Sequence, residues 1–254
     1  MSLLHAEYLK LSRRKLYPLM VVILLALVAL TAFFLMAFGQ IAPDLADEVP
    51  VLRKPSAYII GAQQVAGQTW FPMILAAVMV GGELGSTVWA TSLTREPSLL
   101  NHVVSRLGVF TIAGWLAFAL GTALWGMMAF FIAPGSGGPD LVDWLDTGWR
   151  LGVVALVWSA LGLAAVALLR SVGPAIGAVI AFSFVEAILG LWRPYGNVSV
   201  TAATNGLFGS SLDGFMGSLI PGSGLTTGHA VVVIVSWTVA GLALTWWGLH
   251  RKDA

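Results

Sequence analysis

The sequence predicts an all-α, polytopic membrane protein, and three observations carry that reading. Of the 254 residues 58% are apolar and only 10% are charged, against about 25% charged in an ordinary soluble domain. Mean hydropathy is +0.88. The apolar residues gather into six runs long enough, at about 1.5 Å per residue, to cross a hydrocarbon core of about 30 Å. Within lipid, backbone N–H and C=O groups must be satisfied inside the segment, so such runs are helices. The 11 Trp suit a chain with many membrane interfaces, and the absence of Cys excludes disulfides and thiolate chemistry. The 13 Lys and Arg are scattered at span ends rather than clustered, so no phosphate-neutralising patch exists and nucleic acid is excluded as a partner.

Residues 1–15 come first. On a helical wheel Leu4, Tyr8 and Leu11 share a narrow sector, while Glu7, Lys10, Arg13 and Arg14 spread over the other side. That pattern fits a helix lying in the interface plane, and equally a basic flank that only sets topology. The six spans follow: Leu16 to Phe38, Val65 to Gly82, Leu107 to Ile132, Leu151 to Leu169, Ala175 to Trp192, and Ala230 to Leu249. The first is too long for the core of a signal peptide, roughly 7–15 residues, and is expected to remain as an anchor. The second has a polar outer half, with Gln63, Gln64, Gln68 and Thr69. It could begin as early as Tyr58, and Pro72 could kink it. Those polar side chains could line a path or bond between helices.

Lys and Arg concentrate on cytoplasmic connections. With the N-terminus inside, Lys10, Arg13, Arg14, Lys15, Arg95, Arg106, Arg170, Arg251 and Lys252 fall on the inner side. Only Arg53, Lys54, Arg150 and Arg193 fall outside. Both termini are therefore expected in the cytoplasm. The inner turn at Arg170 is tight, with Pro174 suited to a first helical turn. The outer connection 193–229 is long, and its apolar piece "GLFGSSLDGFMGSLI" is too short to span, so short helices capping the bundle or dipping into the outer leaflet are expected there.

Catalytic and nucleotide motifs are missing. None of Lys10, Lys15, Lys54 or Lys252 follows a Gly, so there is no G-x-x-x-x-G-K-[ST] phosphate loop. The four His are far apart, which excludes an H-E-x-x-H zinc site. Ser223 and His229 in "PGSGLTTGH" hold an intramembrane serine protease open as an alternative, and a membrane immunity or assembly protein is another. Glu186 is the one carboxylate inside these spans. It either lines a pathway, as intramembrane acids tend to, or reaches outward to water or Arg193. Gly173 and Gly177 have the small-xxx-small spacing of close helix packing.

Between the second and third spans the chain breaks at Glu83 into "GGELGSTVWATSLTREPSLLNHVVSR". A short helix is expected before Pro97, with Trp89 and Leu93 on one face and Arg95 and Glu96 at its end. This stretch, the opening "LLHAEYLKLSRRKLYPL" and the long outer connection together resemble a type-2 ABC transporter permease, the membrane-subunit family of bacterial ABC exporters. Where that family often has Arg after the Pro-Ser pair and a later Lys, this chain has Leu99 and Arg106. The resemblance covers the whole chain as one permease domain, 1–254. It implies that 83–101 is a cytoplasmic coupling segment, with Glu83, Trp89, Leu93, Arg95 and Glu96 contacting a separate ATP-binding subunit. On this reading the chain binds no cofactor and is not an enzyme; ATP and Mg belong to the partner subunit. A second permease copy or related subunit is implied, as is a place in the bacterial plasma membrane. Gln64, Gln68, Thr69 and Glu186 are the candidate pathway residues.

Overall fold

The computed structural model describes residues 3–41, 56–84, 94, 98–132, 138–190, 192–208 and 225–251. Every element in it is helical: α1 Leu3–Arg13, α2 Leu16–Ile41, α3 Ser56–Ala66, α4 Trp70–Leu84, α5 Leu99–Ile132, α6 Leu141–Leu169, α7 Val172–Gly190, α8 Arg193–Gly196, α9 Val200–Phe208 and α10 Thr227–His250. Six segments are long and apolar enough to cross a membrane, with α3 and α4 together forming the second. The all-α polytopic architecture expected from the sequence is present.

Several boundaries move, each for a local reason. The third span does not begin at Leu107; α5 runs 34 residues from Leu99, about 51 Å at 1.5 Å per residue, and so overshoots a core of about 30 Å. The fourth begins at Leu141 rather than Leu151, because Asp140 and Asp143 form a reciprocal capping box that starts the helix in a polar segment. The second span reaches back to Ile60 and is broken. Gly67, Gln68 and Thr69 interrupt it, with Gly67 N–H donating to the Gln63 carbonyl at 2.9 Å and Phe71 N–H to that of Gln68 at 3.1 Å. Pro72 therefore kinks nothing: it sits in the first turn of α4, where a missing N–H costs little.

The centre of the bundle is α6, whose most apolar stretch is 67% buried. It packs on α4, α5, α7 and α10. The approach to α10 is close because small residues meet at matching seven-residue spacing, Gly241 against Ala160 and Gly248 against Ala167. On the other flank Gly162 lies against the backbone of Met73 in α4. Trp158, Trp125, Phe71 and Phe118 fill the middle of the core. By contrast α7 is only 17% buried and lies at the rim. At the end of the bundle where α6 and α10 finish, Arg170 adopts a left-handed conformation (φ 54°) as the C-cap of α6. Its guanidinium donates to the Gly248 carbonyl at 2.5 Å, tying the two helix ends together.

Candidate functional site

The densest charge in the described structure lies where α1, α4 and α5 meet. Helix α1 places Glu7 and Lys10 on one face, three residues apart. The wheel had put Glu7 with the outward polar residues; instead it points into the protein and is buried. The reason is Arg106 on α5, itself only 2% exposed, which needs carboxylates because an unpaired buried charge is costly.

The geometry is a closed ring of alternating charge. Arg106 Nε donates to Glu7 Oε1 at 3.3 Å, and its Nη2 pairs with Glu83 Oε2. Lys10 Nζ completes the ring, 3.1 Å from Glu7 Oε1 and 3.2 Å from Glu83 Oε1. Arg14 stands at the rim, its Nη2 4.0 Å from Glu83. Within the ring each acid thus touches both bases and each base both acids, across three separate elements. The planar fork of the Arg106 guanidinium sends separate nitrogens to the two carboxylates, Nε to Glu7 and Nη2 to Glu83, whereas Lys10 reaches both from one ammonium. The Arg106 stem borders a small void among Val80, Leu163, Ala167 and Thr245, so the ring rests directly on the junction of α4, α6 and α10.

Of the residues singled out from the sequence, the structure therefore joins Glu83 to α1 through Lys10, and to Arg14 just after it. Leu11 is buried, Leu4 and Tyr8 are exposed apolar residues on α1, and Arg13 is exposed. Trp89, Leu93, Arg95 and Glu96 lie outside the described residues, and so does Ser223. The sequence marks Arg106 as a positive flank of the third span and as the cation in place of the permease family's later Lys, not as a buried charge. A usable signal was present: His102, Val103, Arg106, Leu107 and Phe110 recur at helical spacing, and all are buried, so the charged positions belong to an inward stripe.

The polar residues of the second span sit at its break. Gln64 is exposed, Thr69 half-buried, and Gln68 Oε1 accepts from Trp70 Nε1 at 2.8 Å. Glu186 is elsewhere, fully buried on α7. Among the described residues its side chain is turned into the protein and not to water. Its carboxylate accepts from the Ser199 hydroxyl, from Tyr195 at 3.0 Å and from Val200 N–H at 3.1 Å, holding the start of α9. The other end of α9 is held by Arg150, which donates to the Leu207 carbonyl. A carboxylate at the N-terminus and a guanidinium at the C-terminus complement the helix dipole. Helix α9 begins at Val200, before the apolar piece in which short helices are expected; of that piece only Gly206, Leu207 and Phe208 are in α9, and 209–224 lie outside the described residues. His229 is engaged with the Asn197 carbonyl at 2.7 Å, linking α10 to the α8–α9 turn. Among the described residues no three His, Asp or Glu side chains gather as a metal site.

No family model matches the chain, and no curated protein is significantly similar to it.

Proposed function

We propose that this chain is the permease subunit of an ATP-driven exporter, supplying half of a substrate pathway and driven by a separate ATP-binding subunit that holds ATP and Mg. The observation that carries the reading is the ring of Glu7, Arg106, Glu83 and Lys10. It clamps the two helix ends, of α4 and α5, between which residues 85–97 run, and adds α1 to the same unit. A displacement applied to that segment would move both spans together instead of being lost in one flexible end. That is what a subunit without a nucleotide motif needs in order to borrow force.

Two further features support a second copy or a related subunit. Polar groups at the break in the second span, including exposed Gln64 and Gly67, require protein or a water-filled cavity at that depth. On α7, an added Cβ at Gly173 or Gly177 meets nothing within 4 Å, so a neighbouring helix could approach closely there. The reading places the protein in a bacterial plasma membrane with both termini cytoplasmic, where the basic residues concentrate.

The test is purification of the full chain from its native membrane with an ATPase assay on what accompanies it. An ATP-hydrolysing subunit is expected, and it should be lost on charge reversal of Arg95 and Glu96 combined with Trp89→Ala. Absence of any ATPase, or retention of it in the variant, counts against the reading.

A further inference from the structure

A groove of about 410 Å³ opens beneath α1, between the start of α2 and the outward face of α5. Its walls are Leu4, Tyr8, Tyr17, Ile112 and Leu116, with Ser12 at the end nearest the α1–α2 turn. The size falls within the range of about 300–1,000 Å³ typical of small-molecule sites. Leu4, Tyr8, Ile112 and Leu116 are all exposed, so the groove is open along an apolar side that faces the bilayer in a membrane-embedded bundle. The Tyr17 hydroxyl donates to the Ala113 carbonyl at 3.1 Å and fixes the wall shape.

Directly after Ser12 the chain carries Arg13, the last residue of α1, and then Arg14 and Lys15 in the turn to α2, all exposed. Arg14 leans toward Glu83, but Arg13 and Lys15 form no ion pair with an acid among the described residues. Two cations thus lie in the chain between Ser12 and Tyr17, the groove residues on either side of the α1–α2 turn. We propose that the groove binds one anionic phospholipid, an acyl chain lying along α5 and the phosphate held by Arg13 and Lys15. Charge complementarity selects this occupant: a zwitterionic lipid could fill the slot equally well but would gain little from the two cations, whereas each cation near an anionic headgroup strengthens binding severalfold. The site stands independently of the transport reading.

The measurement is native mass spectrometry of the full chain in detergent, titrated with dioleoyl phosphatidylglycerol or dioleoyl phosphatidylcholine. The first phosphatidylglycerol is expected to bind roughly tenfold more tightly than phosphatidylcholine. Arg13→Gln with Lys15→Gln should remove that preference and leave phosphatidylcholine unchanged. Ile112→Trp, at an exposed position that tolerates bulk, should fill the slot and weaken both lipids. Equal affinity for the two lipids overturns the proposal, as does insensitivity to Ile112→Trp, which would mean a charged surface without a groove. Full competition by free glycerol phosphate would reduce recognition to the headgroup alone and overturn it too.

Discussion

Arg106 on α5 holds Glu83 on α4 while the same guanidinium holds Glu7 on α1. All three charges are nearly excluded from water, so removing one partner strands the others. Arg106→Met should destabilise the detergent-solubilised protein by about 3–5 kcal/mol, and Glu83→Gln by a similar amount. Combining Arg106→Met with Glu7→Gln and Glu83→Gln should recover part of the loss, since the uncompensated charges leave together. Thermal melts of the single and combined variants check this. A combined loss equal to the sum of the single losses would mean the ring is not one coupled unit.

Lys10 separates coupling from folding. Its side chain is about one-third exposed, so Lys10→Gln should cost under about 1 kcal/mol in stability. It nevertheless opens the ring on the side of α1. If the ring transmits force, ATP-dependent flux in vesicles carrying the full complex should fall severalfold while the melting temperature barely moves. Unchanged flux would limit the ring to a structural role.

The transmembrane architecture was readable because lipid imposes a strong constraint on composition: a run of about 20 apolar residues has few alternatives to a spanning helix. Helix ends were less readable. Leu99 and Leu141 start helices outside the apolar runs, where capping and backbone bonding rather than hydropathy decide. The charge ring was unreadable as a ring, because Glu7, Glu83 and Arg106 are separated by 76 and 23 residues (83 − 7 and 106 − 83). Pairing at such distances is set by packing. Glu83 was singled out by its position at the span end, but its partners were visible only as separate basic residues. Glu186 illustrates the converse. An acid in an apolar span looks functional by default, yet here its lone pairs are taken by α9, whose boundaries the sequence had shifted toward the next apolar piece.

That cap gives a further prediction. Glu186→Ala leaves the Ser199 hydroxyl and Val200 N–H buried without their acceptor, which should cost about 3 kcal/mol. The Tyr195 hydroxyl reports on the same site: burial first, then the Glu186 charge and the hydrogen bond to it, push it up to about 12. With the folded value above the ordinary 10.0, the stability from this group is fully present below pH 10 and is lost as pH rises from 10 through 12. Absorbance titration of the tyrosinates should therefore lose its latest component in Tyr195→Phe. An unchanged late component would place Tyr195 away from Glu186.

Arg170 combines a strained backbone with a useful side chain. Its φ of 54° is in the left-handed region, where a residue with a Cβ costs about 1 kcal/mol or more relative to Gly. Its side chain offsets this by bonding the carbonyl of Gly248 near the end of α10. Arg170→Ala keeps the strain and loses the bond, whereas Arg170→Gly loses the bond but relieves the strain. The Gly variant should consequently be the more stable of the two by about 1 kcal/mol, as read by thermal or denaturant unfolding. The reverse order would mean the backbone conformation is not left-handed.

Glycines in the core and on the rim should respond oppositely to the same added methyl group. At Gly162 a Cβ would lie 2.6 Å from the Met73 carbonyl oxygen and 2.7 Å from its Cα, backbone atoms that cannot rotate aside. Gly162→Ala must push α4 from α6, and overpacking of this kind costs about 1–3 kcal/mol. Gly173→Ala and Gly177→Ala meet nothing within 4 Å, and replacing Gly within a helix favours folding by up to about 1 kcal/mol. The isolated subunit should therefore melt no lower with either rim substitution. If a second subunit packs on this face of α7, bulk at both positions, as Gly173→Leu with Gly177→Leu, should instead shift the protein toward monomers in crosslinking or light scattering. Intact dimers in that variant would move the subunit contact to another face of the bundle.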